Sequence, residues 1–255
     1  MRTKSLFPYA GGKFYLMKEI RELFEKSGRR VAIDVFGGSG KFLLNVDAKS
    51  KVYNDIDSRL VNLFKVAKER PDELAAWFKY PLHSRELFDG FKSTEEDGDD
   101  VASAAKTLYL HYTSFAAKGE TFGYGAKPRG STVVKIENAL DRLSELHEEI
   151  RLWTIEHLDF RELMKRYDCE EAFFYLDPPY HGKKFYRHNF EVKDFEDLAG
   201  LLPSLKGKYL MNINKSEYII DRFGVPSRES RFKSFCDNGR VNGKRRSRTE
   251  LFYWN

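Results

Sequence analysis

Cysteine is scarce, with Cys169 and Cys236 the only two in 255 residues. Two are too few for a disulfide framework, and neither sits at a Cys/His ligand spacing. The expectation is a cytoplasmic protein kept in a reducing environment, with no structural zinc or other metal. No run approaches the ~18 consecutive apolar residues that a membrane span requires. The opening Met1-Arg-Thr-Lys-Ser-Leu-Phe-Pro-Tyr lacks an apolar signal core, so neither a membrane protein nor a secreted one is expected. Internal repeats and low-complexity tracts are absent as well, which excludes solenoids and disordered tails. Net charge is small, +5 with a pI near 8.9, and permits a nucleic-acid partner without demanding one. Its distribution is uneven. Between Arg228 and Arg248 eight basic residues stand against two acidic ones, so this segment carries +6 and the rest of the chain −1.

What is present fits one sizeable core with an insertion, given 255 residues of which 41% are hydrophobic. Val31-Ala-Ile-Asp-Val-Phe36 reads as a buried strand, followed by Gly37-Gly-Ser-Gly40 and then Lys41-Phe-Leu-Leu44 opening a helix. Further strands are expected at 51–56, 152–157, 172–176, 208–213 and 249–254. Strands separated by helical segments argue for an α/β fold with a mainly parallel sheet. Between the second and third strands the periodicity changes. Residues 57–78, 102–112 and 136–150 read as helices, the last with Ile136, Leu140, Leu143, Leu146 and Ile150 on one face. Residues 58–150 are therefore an inserted helical subdomain, and 1–57 with 151–255 form the main domain. Within the insertion 114–132 carries Gly119, Gly123, Gly125, Pro128 and Gly130, and reads as a hairpin or long loop.

The most informative residues are Asp177-Pro178-Pro179-Tyr180, directly after the apolar run Ala172–Leu176. Such a loop suits methylation of an exocyclic amine, whose lone pair is delocalised into the ring. If the Asp177 carboxylate and the Pro178 carbonyl each accept an amino hydrogen, the nitrogen turns its lone pair toward an incoming methyl group. Both prolines have fixed φ and hold the residue before them extended, so the two acceptors are nearly rigid. Tyr180 offers a face for stacking a base that has left its duplex. An ordinary strand-end turn is the competing reading of the same tetrapeptide.

The glycine turn places backbone N–H groups beside a ligand, as dinucleotide folds do for pyrophosphate. The third glycine of that fingerprint is missing, with Leu43 in its place, and no Gly-Lys-Ser/Thr follows for a phosphate loop. Two acids decide between cofactors. Asp55, ending the second strand, is placed for ribose hydroxyls, or serves as a turn residue. Asp34, beside the glycines, suits an amino group, which favours S-adenosylmethionine over a nicotinamide dinucleotide.

Together these residues resemble the Dam-type, D12 class of site-specific DNA adenine-N6 methyltransferases. The resemblance rests on Phe7–Lys13, Asp34–Gly40, Asn54-Asp55, Asp159-Phe160, Phe174–Tyr180 and Thr249–Asn255, in the family's order. It implies a Rossmann-like, seven-stranded mixed methyltransferase sheet, with the helical insertion as target-recognition subdomain. It also implies that Tyr9, Lys13, Asp34, Phe36, Gly38, Gly40, Asp55, Asp159, Phe160 and Asp177 hold the cofactor. Lys13 would meet the methionine carboxylate and Asp159 the adenine amino group. Implied catalytic residues are Asp177, Pro178, Pro179 and Tyr180, acting on adenine N6 in double-stranded DNA by direct attack with base flipping.

For DNA, Lys118, Lys127 and Arg129 of the inserted hairpin are candidates, with Phe122 or Tyr124 as a wedge. Lys183, Lys184 and Arg187 follow the catalytic loop, and Arg245 and Arg246 lie on a basic loop before the last strand. Solvated surface charge is the alternative for each. GATC is the favoured target, a monomer the expected state, and a cognate restriction endonuclease a candidate partner whose existence the sequence leaves open. An RNA adenine, a cytosine N4 amine, or a DNA-binding regulator that retains the fold without catalysis remain as rival readings.

Overall fold

A computed structural model describes residues 4–9, 13–79, 83–93, 98–123, 136, 140–141, 143–183, 186–233, 240–241, 244–245 and 247–255. Its strands are β1 Val31–Asp34, β2 Ser50–Asn54, β3 Thr154–Glu156, β4 Ala172–Leu176, β5 Lys208–Asn214, β6 Arg228–Lys233, β7 Arg240–Val241, β8 Lys244–Arg245 and β9 Ser247–Trp254. Seven of them form one sheet in the order β3-β2-β1-β4-β5-β9-β6. The first four pairings are parallel. β9 runs antiparallel to β5 and to β6, so the sheet is mixed as expected.

Burial explains the strand sequences. All five residues of β4 are buried, the signature of a parallel strand covered on both faces. Phe173 and Tyr175 join one core with Phe24 and Phe42, while Phe174 and Leu176 join a second with Phe160 and Phe195. Because β1 has β2 on one side and β4 on the other, the chain reverses direction of winding there. The carboxyl ends of these strands then splay into a crevice, the place where open α/β sheets bind ligands.

One expectation needs correcting. After the glycine turn, 41–44 open no α-helix; a turn leads into a short 3-10 segment, Leu43–Asn45, just ahead of β2. Asn45 fixes this tight path, its amide donating to the carbonyls of Lys4 and Lys41 and its oxygen accepting from the Lys4 N–H. The basic run before β9 also differs from a loop: β7 and β8 pair as a two-stranded ribbon, and β6 forms an edge strand. Neither carries the apolar alternation by which a strand is recognised in sequence.

Four helices begin the insertion and its approach: α2 Ser58–Glu69, α3 Pro71–Trp77, α4 Arg85–Ser93 and α5 Asp100–Thr113, preceded by α1 Met17–Ser27 before β1. The expected 57–78 helix is split at Arg70–Pro71, because proline has no N–H to continue the ladder but is favoured in a first turn. Asp57 caps α2 by accepting from the Arg59 N–H, and Asp99 caps α5. Phe64 of α2 stacks on Tyr53 of β2 at 4.1 Å between ring centroids and on Trp153 at 5.9 Å. One continuous core thus runs from the sheet into the insertion.

Candidate active site

A cleft of about 870 Å³ opens at the carboxyl ends of β1, β2 and β4 and is roofed by residues of α4, α5 and the loop after α5. Its floor is the glycine turn. Gly38 has φ +50°, and a Cβ there would come within 2.9 Å of the Tyr9 ring, so only glycine fits. The Gly38 N–H donates to Asp55 Oδ2 at 2.9 Å and the Asp57 N–H to Oδ1 at 2.9 Å, while the Tyr53 hydroxyl holds the Gly38 carbonyl at 2.8 Å. Burial pushes the Asp55 carboxyl up to about 6 against the pull of these backbone N–H groups. Asn54, next to it, ties β2 to the Val35 and Leu158 carbonyls and accepts from the Leu158 N–H.

Asp34 is buried and faces the same cleft, yet its Oδ1 has no hydrogen-bond partner among the described residues. Burial raises its pKa well above the ordinary carboxylate range, and the charges of Asp177 and Asp55 raise it further. An uncompensated carboxylate of this kind is suited to a cationic group entering the cleft. Together with Asp55, this pair of acceptors fits a ligand that carries an amino group and hydroxyls, as S-adenosylmethionine does.

Around the loop after β4 the charges are denser. The Lys13 ammonium contacts both oxygens of Asp177, at 2.6 and 2.8 Å. It lies 3.8 Å from Glu250 Oε1 and 5.0 Å from the centroid of the Tyr180 ring. Tyr180 donates its hydroxyl to Glu250 Oε1. Asn212 of β5 bridges the two carboxylates, donating to Asp177 Oδ1 at 3.2 Å and to Glu250 Oε2 at 3.4 Å. Burial alone would lower the pKa of Lys13; the Asp177 and Glu250 carboxylates outweigh it and hold the ammonium well above its ordinary range. Burial raises both acids, opposed chiefly by Lys13.

Of the residues singled out from sequence, Tyr9, Lys13, Asp34, Phe36, Gly38, Asp55, Asp177 and Pro179 line this one cleft, joined by Lys118 and Arg187. Gly40 lies behind it, where a Cβ would press within 2.7 Å of the Phe64 ring. Asp159 and Phe160 do not line it. Asp159 caps the helix Phe160–Tyr167 and holds Arg161, and Phe160 is buried against Phe36 and Phe190 at 5.9 and 5.2 Å. Lys13, expected on a cofactor carboxylate, has its ammonium on Asp177. Tyr180 is only 9% exposed, and Pro178 is buried beneath the loop.

Lys183 folds back through its N–H onto the Tyr180 carbonyl. Phe122 packs against Phe88 and His83, leaving Phe115 as an exposed aromatic on that loop. Lys127, Arg129, Tyr124, Lys184 and Arg246 lie outside the described residues, and Arg245 is described only as a position in β8.

Several cleft residues went unnoticed in sequence: Arg59, His111, Tyr186, and, behind the loop, Asn212 and Glu250. Tyr186 stacks on Tyr9 at 5.9 Å, and His111 packs against both Phe7 and Tyr9. Burial lowers the His111 pKa to about 4, so the ring is neutral at physiological pH. For Glu250 a signal existed: a lone acid inside the apolar strand Leu-Phe-Tyr-Trp must be paired if that strand is buried.

The model of the D12 class N6 adenine-specific DNA methyltransferase family matches residues 9–233. The type II methyltransferase M.MjaIII of Methanocaldococcus jannaschii is 23% identical over 99% of this chain and 98% of its own length. The type II methyltransferase M1.LlaDCHI of Lactococcus lactis subsp. cremoris is 23% identical over 97% of this chain and 93% of its own. The DNA adenine methylase of Escherichia coli K12 is 31% identical, but over only 34% of this chain and 28% of its own length. Among solved structures, the methyltransferase SMU.472 complexed with SAH aligns at 12% identity and a TM-score of 0.36, over 93% of this chain and 52% of that one.

Proposed function

This chain belongs to the D12 class of N6 adenine-specific DNA methyltransferases, and we propose how its cleft serves that reaction. The activity is transfer of a methyl group from S-adenosylmethionine to adenine N6 in DNA. The bound cofactor supplies an electrophilic methyl group on a sulfonium. In our reading Asp34 holds the amino group of its methionine end, Asp55 accepts from its ribose hydroxyls, and Tyr9 with Phe36 closes the apolar sides. Gly38 lets the turn approach closely.

The observation that carries the catalytic assignment is the half-buried Asp177 carboxylate at the end of β4, 22% exposed and opening toward the cleft that Asp34 and Asp55 share. Asp177 and the Pro178 carbonyl accept the two amino hydrogens and orient the lone pair. Pro179 keeps the loop rigid, and Tyr180 stacks the flipped base. The first product is a methylated ammonium, which gives up a proton to restore the neutral amine; Asp177 is the group placed to relay it.

We extend the reading to double-stranded DNA as substrate and to residues 58–150 as the part that recognises the target. Lys118 and Arg187 on the cleft rim, with the basic ribbon that includes Arg245, are phosphate contacts in this reading. A GATC-like site, a monomeric and cytoplasmic enzyme, and a cognate restriction endonuclease complete it; the type II names of two relatives support the last. Single-molecule sequencing of unmethylated plasmid after incubation with protein and S-adenosylmethionine tests the proposal. Modified adenines in one short motif are expected. Label appearing only in RNA, or only on cytosine, would overturn it.

A further inference from the structure

We propose that Lys13 is a movable stand-in for the target amino group, and that Glu250 is the positioning carboxylate that receives it when the adenine enters. The inference rests on the assignment of Asp177 and Tyr180 to the target base. Both are engaged here by the same ammonium. It donates to the two Asp177 oxygens at 2.6 and 2.8 Å and lies over the Tyr180 ring at 5.0 Å. An amino group accepted by Asp177 and belonging to a ring stacked on Tyr180 needs the volume that Nζ fills. The ammonium mimics that amine in both respects, as an N–H donor and as a partner of the aromatic face. Before any base can dock, it must leave.

Among the described residues the surroundings offer Glu250 as a destination. Glu250 is buried on β9, and its Oε1 is 3.8 Å from Nζ, so a shift of roughly 1 Å brings the pair to the ~2.8 Å of a charge-assisted hydrogen bond. Moving into an apolar or unpaired position would strand a buried charge, which is strongly unfavourable. Moving to Glu250 keeps the ammonium paired and leaves Asp177 to a neutral amine. Asn212 donates to both carboxylates and steadies them through the exchange. Tyr180 is tied to the same Glu250 through its hydroxyl, so the position of Lys13 and the seating of the stacking ring are set by one group. In the empty enzyme the arrangement also keeps Asp177 paired while no substrate is present.

The test compares wild type, Asp177→Ala and Glu250→Gln in single-turnover methylation of duplex DNA, with separate measurements of S-adenosylhomocysteine and DNA affinity. Glu250→Gln keeps size and hydrogen-bonding capacity but removes the charge that attracts Lys13. We expect its methylation rate to fall roughly ten- to hundredfold, with both affinities within about threefold of wild type and partial recovery in Glu250→Asp. Fluorescence of 2-aminopurine at the target position, which reports the base in its pocket, falls with it. A merely structural role would not reduce that signal at saturating DNA in folded protein.

A wild-type rate in Glu250→Gln, with Asp177→Ala inactive, overturns this inference and leaves the catalytic assignment standing. A near-normal rate in Asp177→Ala overturns the assignment itself. Should Glu250→Gln not fold, a crystal structure of the wild-type enzyme with a cofactor analogue and its target duplex decides. Lys13 Nζ within ~3.2 Å of Glu250 supports the exchange, and Lys13 still bridging both Asp177 oxygens refutes it.

Discussion

Lys13 and Arg161 each face more than one carboxylate, the first inside the carboxyl end of the sheet and the second on its outer side. Lys13 sits between Asp177 and Glu250 with its side chain 4% exposed. Arg161 holds Asp159, Asp194 and Asp197 at 3.0, 2.6 and 2.7 Å, with its own side chain 32% exposed. Counting ion pairs would rank the second cluster higher. Water reverses that order: around Arg161 it solvates every partner and screens the attraction, so exposed pairs contribute little. Around Lys13 the ammonium and Glu250 are shut off from water, at 4% and 2% exposed, so solvent does not replace a partner lost there, while Asp177 keeps 22% exposure toward the cleft. The buried cluster is therefore where chemistry and stability are coupled, while the surface cluster joins a helix cap to the neighbouring helix Val192–Leu201.

The comparison is broken most directly by removing each cation. Lys13→Met leaves the buried Glu250 and the half-buried Asp177 without their counter-charge and should destabilise the fold by about 3 kcal/mol. The matching Arg161→Met should lose no more than ~1 kcal/mol. Thermal or urea denaturation of the two variants checks this, and equal losses would mean that burial does not separate the clusters.

A smaller effect sharpens the comparison at Asp55, a half-buried carboxylate held by backbone N–H groups instead of a cation. In its ionised form it is the better acceptor for ribose hydroxyls. With its carboxyl at about 6, affinity for S-adenosylhomocysteine should weaken by up to about tenfold between pH 7.5 and pH 5. Asp55→Asn should flatten that profile, as titration calorimetry across the range would show. The folding contribution of this group has the opposite sign. Raised from 3.8 in the folded chain, it adds stability in full below that value and loses it as pH rises through about 6.

The proposed catalytic loop was legible because its chemistry is local. Four consecutive residues carry the acceptors, the rigidity and the ring, and the apolar run before them announces a buried strand. The same holds for Asp34 and Asp55, each one step from a strand end. Legibility failed where local patterns were too short or too polar. Lys41-Phe-Leu-Leu44 is as compatible with a helix as with the 3-10 turn that the Asn45 hydrogen bonds select, and Arg228–Lys233 gives no apolar alternation by which to recognise an edge strand. Asp159 and Phe160, singled out by resemblance to a cofactor segment, have structural places of their own, one capping a helix and the other in the core.

Sequence by itself determined the family and the α/β class, and it supplied Asp177–Tyr180, Asp34 and Asp55 as the residues of the proposed site, since each depends on residues adjacent in the chain. Tertiary structure alone decided which charges neutralise one another. Lys13 reaches Asp177 across 164 positions, and Tyr180 reaches Glu250 across 70. No sequence spacing encodes those meetings. They follow from the sheet order, which sets β4, β5 and β9 side by side and brings the entry to α1 over their ends, where exclusion of water makes every pairing count.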